Sequence, residues 1–348
     1  MIPDLDAHIL GSLPSRESSL NSGDVLEIQG PAASGKTELL YHLAANCILP
    51  SNVLVASLGI SAERTVHLGG WQKSVVVFDC DGRWDILRLH NILITRLNLA
   101  CSKAPLPPIP EMTVSSIAMK SLSRLHLFRP TSSIQLAATL LHLPKYHAEH
   151  MPNEEIRMLF VDSISSFYWA DRWQAEASLA GPKRSPRSNL LGDVLRCLQG
   201  FRLSHGPVTI LTNWGLNPLP SSESSASPTP FFRQHLAFPF PAPFDEPPRR
   251  MASQELQQLP LTCNITLPYA FVSPLQLDEG HPDALASHEG RRLEQALRDN
   301  MRKEVVERGE IGAYVRIHQA GEQDVPPRSV VGRFGFRIQE YDVVTAPM

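Results

Sequence analysis

An eight-residue segment, Gly30–Thr37, limits the possible folds of this chain more than any other part of it. Its sequence, Gly-Pro-Ala-Ala-Ser-Gly-Lys-Thr, fits the phosphate-binding pattern Gly-x-x-x-x-Gly-Lys-[Ser/Thr], which works only between a strand and a helix. The apolar run Val25–Ile28 before it predicts the strand, and Leu39, Leu40 and Leu43 after it recur at helical spacing. The chain therefore has the local context that a phosphate-binding loop requires.

Each residue type in this loop has a physical role. Gly30 and Gly35 lack side chains, so backbone N–H groups can approach a phosphate, and the following helix N-terminus favours negative charge. Lys36 would bring a positive charge to the terminal phosphates, and the Thr37 hydroxyl would ligate Mg²⁺. We therefore predict a nucleoside triphosphate site formed by Gly30, Pro31, Ala32, Ala33, Ser34, Gly35, Lys36 and Thr37. The alternative is a glycine-rich turn that binds nothing.

A carboxylate on a neighbouring strand is needed to hold the magnesium shell of such a site. Asp162 ends an apolar run and is the candidate, although it could instead cap the next helix. Position 163 is Ser, so the acidic pair of many mechanical ATPases is absent here. A carboxylate that activates water must then lie elsewhere, and Asp79 and Asp81, which follow Val75–Phe78, are the candidates.

Strand and helix patterns alternate along most of the chain. Ser74–Asp79, Met158–Asp162 and Val208–Asn213 are continuous apolar runs typical of buried strands. Because helical patterns lie between them, we predict an α/β fold with a mainly parallel, twisted sheet and helices on both faces. Two late strands, Tyr314–His318 and Phe334–Ile338, are predicted to close the chain.

The sequence also predicts the secondary structure of three single segments. Asn52–Leu58 is either a second strand or an inserted edge element. Ser132 or Ser133 is expected to cap a helix that ends by Pro144, because proline disrupts a helix interior. The segment Arg291–Val306 has a narrow apolar stripe among charged residues and predicts a late helix.

Composition excludes several function classes. The formal net charge of −3 rules out a globally basic nucleic-acid coat, so any DNA contact must be local. Five scattered cysteines without a Cys-x-x-Cys pair disfavour a disulfide framework or a zinc site and favour a reducing compartment. No apolar run approaches the length of a membrane span, and no signal pattern begins the chain. A soluble intracellular protein is expected.

Composition also suggests how the chain is divided. Its 30 prolines among 348 residues predict irregular segments beside the folded part. We expect a polar leader over residues 1–22, a nucleotide-binding core over 23–215, a Pro/Ser-rich mobile insertion over 216–260, and a C-terminal helix and strands over 261–348 that complete the core.

Several blocks of sequence match one known family. They are Gly23–Leu43 with Cys47–Pro50, Val77–Asp81 with Trp84–Leu89, and Leu159–Arg172, the last being the most specific. In these blocks the chain resembles the RecA/RadA-like strand-exchange recombinases and, more narrowly, their eukaryotic paralogues of the X-ray-repair cross-complementing group-two type. The resemblance implies a RecA-like P-loop NTPase core that binds ATP and Mg²⁺, with Thr37 and Asp162 on the metal side.

The same resemblance implies a biological role. It indicates homologous-recombination repair of DNA double-strand breaks in the nucleus, as a subunit of a complex with other recombinase paralogues. A D-type paralogue is the favoured partner, and single-stranded or branched DNA is the expected nucleic acid.

Two departures from the family pattern bear on mechanism. Active recombinases place a water-polarising Glu where this chain has Asp81, which is one methylene shorter. Because an error of about 1 Å can cost ~10²-fold in rate, we expect Asp81 to support at most a weak DNA-dependent ATPase. Recombinases also place a γ-phosphate-sensing Gln after the strand that matches Thr209–Thr212, where this chain has Asn213 or Trp214. Nucleotide-to-DNA coupling is therefore expected to be weak.

A third departure concerns assembly. Twenty-two residues precede Gly23, too few for the helical N-terminal lobe of a full recombinase, and they contain no Phe-x-x-Ala motif. We expect a hetero-oligomer rather than a long homofilament.

The resemblance places DNA-binding loops after the two central strands. The first would contain Lys183, Arg184 and Arg187, which are candidate phosphate contacts, the alternative being a solvated linker. The second would lie in the insertion, where aromatic and arginine side chains could stack on bases. The aromatic run Phe167–Trp169 either packs in the core or contacts a partner.

Two other functions stay open. A P-loop small-molecule kinase needs an arginine-bearing lid and an acceptor pocket, which the sequence does not locate. A nucleotide-independent scaffold could keep the RecA-like fold, although intact Lys36 and Thr37 argue against complete loss of binding.

Overall fold

The computed structural model describes residues 2–56, 63–103, 111–180, 189–219, 231–241, 259–268, 310–318 and 329–346. The helices are α1 (Pro3–Ser12), α2 (Lys36–Ile48), α3 (Ile86–Lys103), α4 (Glu111–Leu122), α5 (Ser133–His150), α6 (Tyr168–Ala180) and α7 (Leu190–His205). The strands are β1 (Val25–Gly30), β2 (Asn52–Ala56), β3 (Glu63–His67), β4 (Ser74–Asp79), β5 (Leu125–Phe128), β6 (Ile156–Asp162), β7 (Val208–Trp214), β8 (Asn217–Pro218), β9 (Phe232–Arg233), β10 (Cys263–Thr266), β11 (Glu310–His318), β12 (Ser329–Ile338) and β13 (Val343–Ala346).

Nine of the described strands form one sheet in the order β13-β12-β11-β10-β1-β7-β6-β4-β5. The strands from β10 to β5 are parallel to one another, and β11, β12 and β13 extend the β10 edge in antiparallel fashion. Helices pack on both faces of this sheet. The predicted α/β fold with a mainly parallel sheet is confirmed, and it is consistent with a RecA-like core.

Strand β4 illustrates why the sheet is covered on both faces. All six of its residues are buried, and successive side chains point to opposite faces. Val75 and Val77 pack in a core with residues of α2, α3 and α4, whereas Val76 and Phe78 pack in a second core with residues of α5 and α7. A strand that is apolar at every position can satisfy both cores, as central parallel strands do.

The predicted end of α5 at Pro144 is wrong. Ser132 caps the helix, its hydroxyl accepting a hydrogen bond from the Gln135 N–H at 3.2 Å. The helix then continues through Pro144 to its last residue. Leu140 and Leu143 are buried in the core shared with α7, and this packing offsets the hydrogen bond that proline cannot donate.

The end of the chain contributes more strands than predicted. Tyr314–His318 and Phe334–Ile338 lie in β11 and β12, as expected, but β10 and β13 were not predicted. Both are only four residues long, which gives little periodicity to detect. Strands β2 and β3 form a separate two-stranded sheet, which agrees with the inserted-element interpretation of Asn52–Leu58.

Several segments outside the strands also pack into the cores. In the predicted leader, α1 lies against β12, and its Leu5 and Ile9 are buried. In the described part of the predicted insertion, Leu236 and Phe240 are buried in the core of α5 and α7. The predicted helix Arg291–Val306 lies outside the described residues. Within the described parts of the chain, no helix has both the length and the apolar character that crossing a membrane requires.

Candidate nucleotide-binding site

The predicted phosphate-binding loop connects β1 to α2 at the carboxyl edge of the parallel strands. Gly35 has a φ of +90°, and Ala33 has a φ of +59°. Gly30 ends β1, where a Cβ atom would lie 2.6 Å from the carbonyl oxygen of Leu267, so a side chain there would displace backbone. The two glycines of the motif are therefore required by the conformation of the turn itself.

The C-terminal strands lie directly behind this turn. A Cβ atom on Gly35 would lie 2.6 Å from Cδ1 of Ile311 in β11 and 3.2 Å from Cζ of Phe336 in β12. Ile338, the last residue of β12, lines the cavity above the loop. Residues far along the chain thus form the wall against which the phosphate loop is packed.

Lys36 is folded back over its own loop. Its ammonium donates hydrogen bonds to the carbonyl oxygens of Gly30, at 2.7 Å, and Pro31, at 2.6 Å. Burial lowers the pKa of Lys36 to about 8, against the opposing effect of the nearby Asp162 and Asp81 carboxylates. The ammonium is held where terminal phosphates would lie, and a phosphate could replace the two carbonyls as its partner.

Asp162 lies at the end of β6 and faces the first turn of α2. Thr37 donates its hydroxyl to Oδ2 at 2.9 Å, the Trp84 indole donates to the same oxygen at 3.1 Å, and Thr212 donates to Oδ1 at 2.5 Å. Burial raises the pKa of Asp162, and the hydrogen bonds from Thr212 and Thr37 oppose this shift. The structure thus brings together Thr37 and Asp162, the two predicted metal-side residues.

The loop residues fit a magnesium-bound triphosphate. The hydroxyl of Ser34 is buried and has no hydrogen-bond partner among the described residues, as expected of a donor meant for a ligand oxygen. Thr37 and Asp162 offer oxygen atoms, which Mg²⁺ prefers, and Mg²⁺ commonly needs only one or two protein ligands beside phosphates and water. In the described residues, no group of three or more His, Cys, Asp or Glu forms a separate metal site.

A cavity of about 860 Å³ opens over the loop, a size suited to a small-molecule ligand. It is lined by Pro31, Ala32, Ala33, Ser34, Gly35, Lys36, Thr37, Glu38, Tyr41, Asp81, Arg83, Asp85, Arg88, Asp162, Trp214, Gly215, Leu216 and Ile338. Apart from the opening glycine, the whole predicted loop faces it. Arg83, Arg88 and Ile338 were missed because they belong to no short motif.

The structure separates the two candidates for a water-activating acid. Asp79 is buried and accepts hydrogen bonds from the backbone of Arg83 and Trp84 and from the Arg129 guanidinium at 3.1 Å, so it stabilises the fold. Asp81 is exposed and lines the cavity, and it accepts a hydrogen bond from the Ser166 hydroxyl at 2.5 Å. The geometry therefore favours Asp81 over Asp79.

The structure also distinguishes Asn213 from Trp214, the two candidates for the position that the resemblance assigns to γ-phosphate sensing. Asn213 is buried, and its amide donates to Glu27 at 2.6 Å and to Gln234 at 2.9 Å. Trp214 lines the cavity instead, and its ring stacks on His235 with centroids 6.3 Å apart. Of the two candidate residues, Trp214 therefore faces the cavity and Asn213 does not.

The predicted DNA contacts are not located by the structure. Lys183, Arg184 and Arg187 lie outside the described residues. The aromatic run Phe167–Trp169 was predicted either to pack in the core or to contact a partner. Phe167 and Tyr168 pack against the core, whereas Trp169 is 56% exposed.

Comparisons with known proteins agree with the family resemblance. No protein-family model matches the chain. It is 38% identical over 165 residues to mouse DNA repair protein XRCC2, 26% identical over 220 residues to the DNA repair protein XRCC2 homolog of Arabidopsis thaliana, and 26% identical over 176 residues to DNA repair protein rlp1 of Schizosaccharomyces pombe. These matches cover 47%, 57% and 44% of this chain and 48%, 56% and 40% of the relatives. The chain thus spans about half the length of the curated relatives it matches. The resemblance to group-two-type recombinase paralogues is confirmed by these relatives.

Proposed function

We propose that this chain, which is similar over about half its length to DNA repair proteins named XRCC2, is an ATP-binding subunit of a recombinase-paralogue complex. In this proposal it acts in homologous-recombination repair of DNA double-strand breaks in the nucleus. Three relatives whose names describe DNA repair proteins support the repair role. The observation that carries ATP binding is the Thr37–Asp162 hydrogen bond beside Lys36, at the mouth of a cavity of about 860 Å³.

The residues of the loop have separate tasks in this proposal. The Lys36 ammonium exchanges the carbonyls of Gly30 and Pro31 for phosphate oxygens, and the Ser34 hydroxyl gains the partner that it lacks. Thr37 and Asp162 hold the metal ion. Bound Mg-ATP supplies a triphosphate whose last bond can be hydrolysed.

Hydrolysis in this site is proposed to be slow. Asp81 is the carboxylate that would orient the attacking water, and it is one methylene shorter than the glutamate of active recombinases. Since catalysis depends on placement to within about 1 Å, the nucleotide would act mainly by organising the subunit for its partner, a D-type paralogue. A weak DNA-dependent ATPase is the most activity that we propose.

Equilibrium titration with Mg-ATP tests nucleotide binding. We expect the wild-type protein to bind, Lys36→Ala to lose most of its affinity, and Arg196→Ala to bind like the wild type. Arg196 is a matched control because its side chain is 63% exposed on α7, in an ion pair with Asp193. Unchanged binding by Lys36→Ala would overturn the assignment of the site.

Co-purification tests the assembly role. Tagged wild-type protein from nuclear extract should recover other recombinase paralogues, and more of them with ATP than without it. Recovery independent of nucleotide and of Lys36→Ala would favour a scaffold. A phosphorylated small-molecule product, instead of phosphate released in water, would favour a kinase.

A further inference from the structure

Arg83 is a cation of the candidate site that no motif assigns. It follows Gly82, which has a φ of +65°, on the turn after β4, and it lines the cavity together with Lys36 and Thr37. Arg83 therefore shares a cavity with the residues of the phosphate-binding loop.

Hydrogen bonds to Asp79 hold the backbone of Arg83, and the neighbouring Trp84 connects this turn to Asp162. Its N–H donates to Oδ1 of the buried Asp79 at 2.9 Å, and the next N–H, of Trp84, donates to Oδ2 of Asp79 at 3.2 Å. The Trp84 indole donates to Asp162 at 3.1 Å. One rigid turn thus connects Arg83 to the carboxylate beside Thr37.

The charges around Arg83 leave its guanidinium without a protein partner. It is exposed, and it makes no hydrogen bond or ion pair to any other residue in the part of the chain that the structure describes. The two nearby acids are engaged elsewhere, because Asp81 accepts from Ser166 at 2.5 Å and Asp85 accepts from the Leu87 N–H at 2.8 Å.

The other cavity arginine is already paired. Arg88 donates to Glu38 at 3.0 Å and to the Gln339 carbonyl at 2.7 Å. Of the two arginines that line the cavity in the described part of the chain, Arg83 is thus the one without a protein partner. A planar guanidinium binds phosphate oxygens in pairs, with more geometric selectivity than an ammonium.

We propose that Arg83 is a direct ligand of the terminal phosphate of the bound nucleoside triphosphate, supplied by the same chain as the phosphate loop. This inference rests on the proposed function. Arg83 would contact the phosphate from the turn after β4, whereas the main-chain amides of the loop follow β1. It therefore makes the site selective for a triphosphate over a diphosphate.

Titrations with Mg-ATP and Mg-ADP test this role in Arg83→Ala, Arg83→Lys, Lys36→Ala and Arg196→Ala. Since hydrogen bonds to charged groups are worth about tenfold or more in affinity, Arg83→Ala should weaken ATP binding by about that factor and ADP binding much less. Arg83→Lys should recover part of the loss, and Arg196→Ala should match the wild type. Thermal unfolding of the unliganded Arg83→Ala should match the wild type, because the side chain is exposed.

The outcomes separate the inference from the proposed function. If Arg83→Ala binds ATP like the wild type while Lys36→Ala does not, the inference is wrong and the nucleotide site stands. Equal losses of ATP and ADP affinity in Arg83→Ala would also overturn the terminal-phosphate role. If the wild type binds no Mg-ATP, or if Lys36→Ala binds it like the wild type, the proposed function fails and the inference fails with it.

Discussion

At the scale of single residues, the surrounding protein changes the pKa of Lys36, and this change bears directly on phosphate binding. Its ammonium lies within hydrogen-bond distance of two loop carbonyls and near the Asp162 and Asp81 carboxylates, yet burial still lowers its pKa to about 8. Part of the population is therefore neutral at mildly alkaline pH. Only the protonated form can pair with phosphate.

This pKa predicts a pH dependence of ATP binding. Below pH 8 the ammonium is charged and affinity is highest; above it, affinity should fall by about tenfold for each pH unit, since binding must then take up a proton. Titrations from pH 7.5 to 9.5 measure the slope. Lys36→Arg keeps its charge over this range and should lose the slope, so an equal decline in both proteins would contradict the role of Lys36.

Gly35 supplies a second residue-scale prediction. Its φ of +90° is one that residues with a side chain rarely adopt, and a Cβ would also force the Ile311 side chain, 2.6 Å away, to shift. We expect Gly35→Ala to destabilise the protein by about 1–3 kcal/mol and to impair ATP binding. Urea unfolding measures the free energy of unfolding.

Gly200 provides the matched control for Gly35. It is exposed in the interior of α7, and a Cβ there would meet no atom within 4 Å. Gly200→Ala should stabilise the protein by about 0.5–1 kcal/mol, because alanine loses less backbone entropy in a helix. The explanation for Gly35 would be wrong if both substitutions had the same sign.

At the scale of elements, the C-terminal strands support the helix that carries the phosphate loop. Arg96 of α3 donates to Asp342 at 2.9 Å and to the Val343 carbonyl of β13 at 3.1 Å. It also donates to Asn46 of α2 at 2.8 Å. One mostly buried guanidinium thus connects three elements that are distant in sequence.

Arg96→Ala should therefore destabilise the protein by about 3–5 kcal/mol, the range for removing one partner of a buried ion pair. Arg196→Ala, which breaks an exposed pair on α7, should cost less than about 1 kcal/mol. Denaturant unfolding of both variants gives the comparison. Similar small effects would mean that β13 contributes little to holding α2.

At the scale of the whole molecule, the site exists because the sheet brings several strand ends together. β1 supplies the loop, β4 leads to Asp81 and Arg83, β6 ends at Asp162, and β7 ends at Trp214. These strands are neighbours in the sheet although long stretches of chain separate them. Ligand binding at their common edge should therefore stabilise the entire fold.

Thermal unfolding tests this linkage. A ligand at about 100 times its Kd stabilises a protein by about 2.7 kcal/mol, so saturating Mg-ATP should raise the Tm of the wild type. Asp162→Asn should lose most of the magnesium-dependent part of that rise, because a neutral amide binds Mg²⁺ more weakly than a carboxylate does. An undiminished rise in Asp162→Asn would place the metal elsewhere.

Local features of this protein were predictable from its sequence. The phosphate loop, its flanking elements and the buried strands β4, β6 and β7 are encoded by contiguous residues, so pattern and spacing suffice to find them. The position of Asp162 at the end of β6 was predictable for the same reason, since it ends an apolar run. The end of α5 was not, because the packing of Leu140 and Leu143 outweighs the local effect of Pro144.

Tertiary structure alone decided the questions that depend on which strand ends meet. It separated Asp81 from Asp79 by burial, placed Trp214 rather than Asn213 at the cavity, and put Ile311 and Phe336 behind Gly35. Backbone conformation follows largely from neighbouring residues, and sequence carries that information directly. Which side chains face a common cavity depends on strand order and on contacts between distant residues, and only the folded chain determines these.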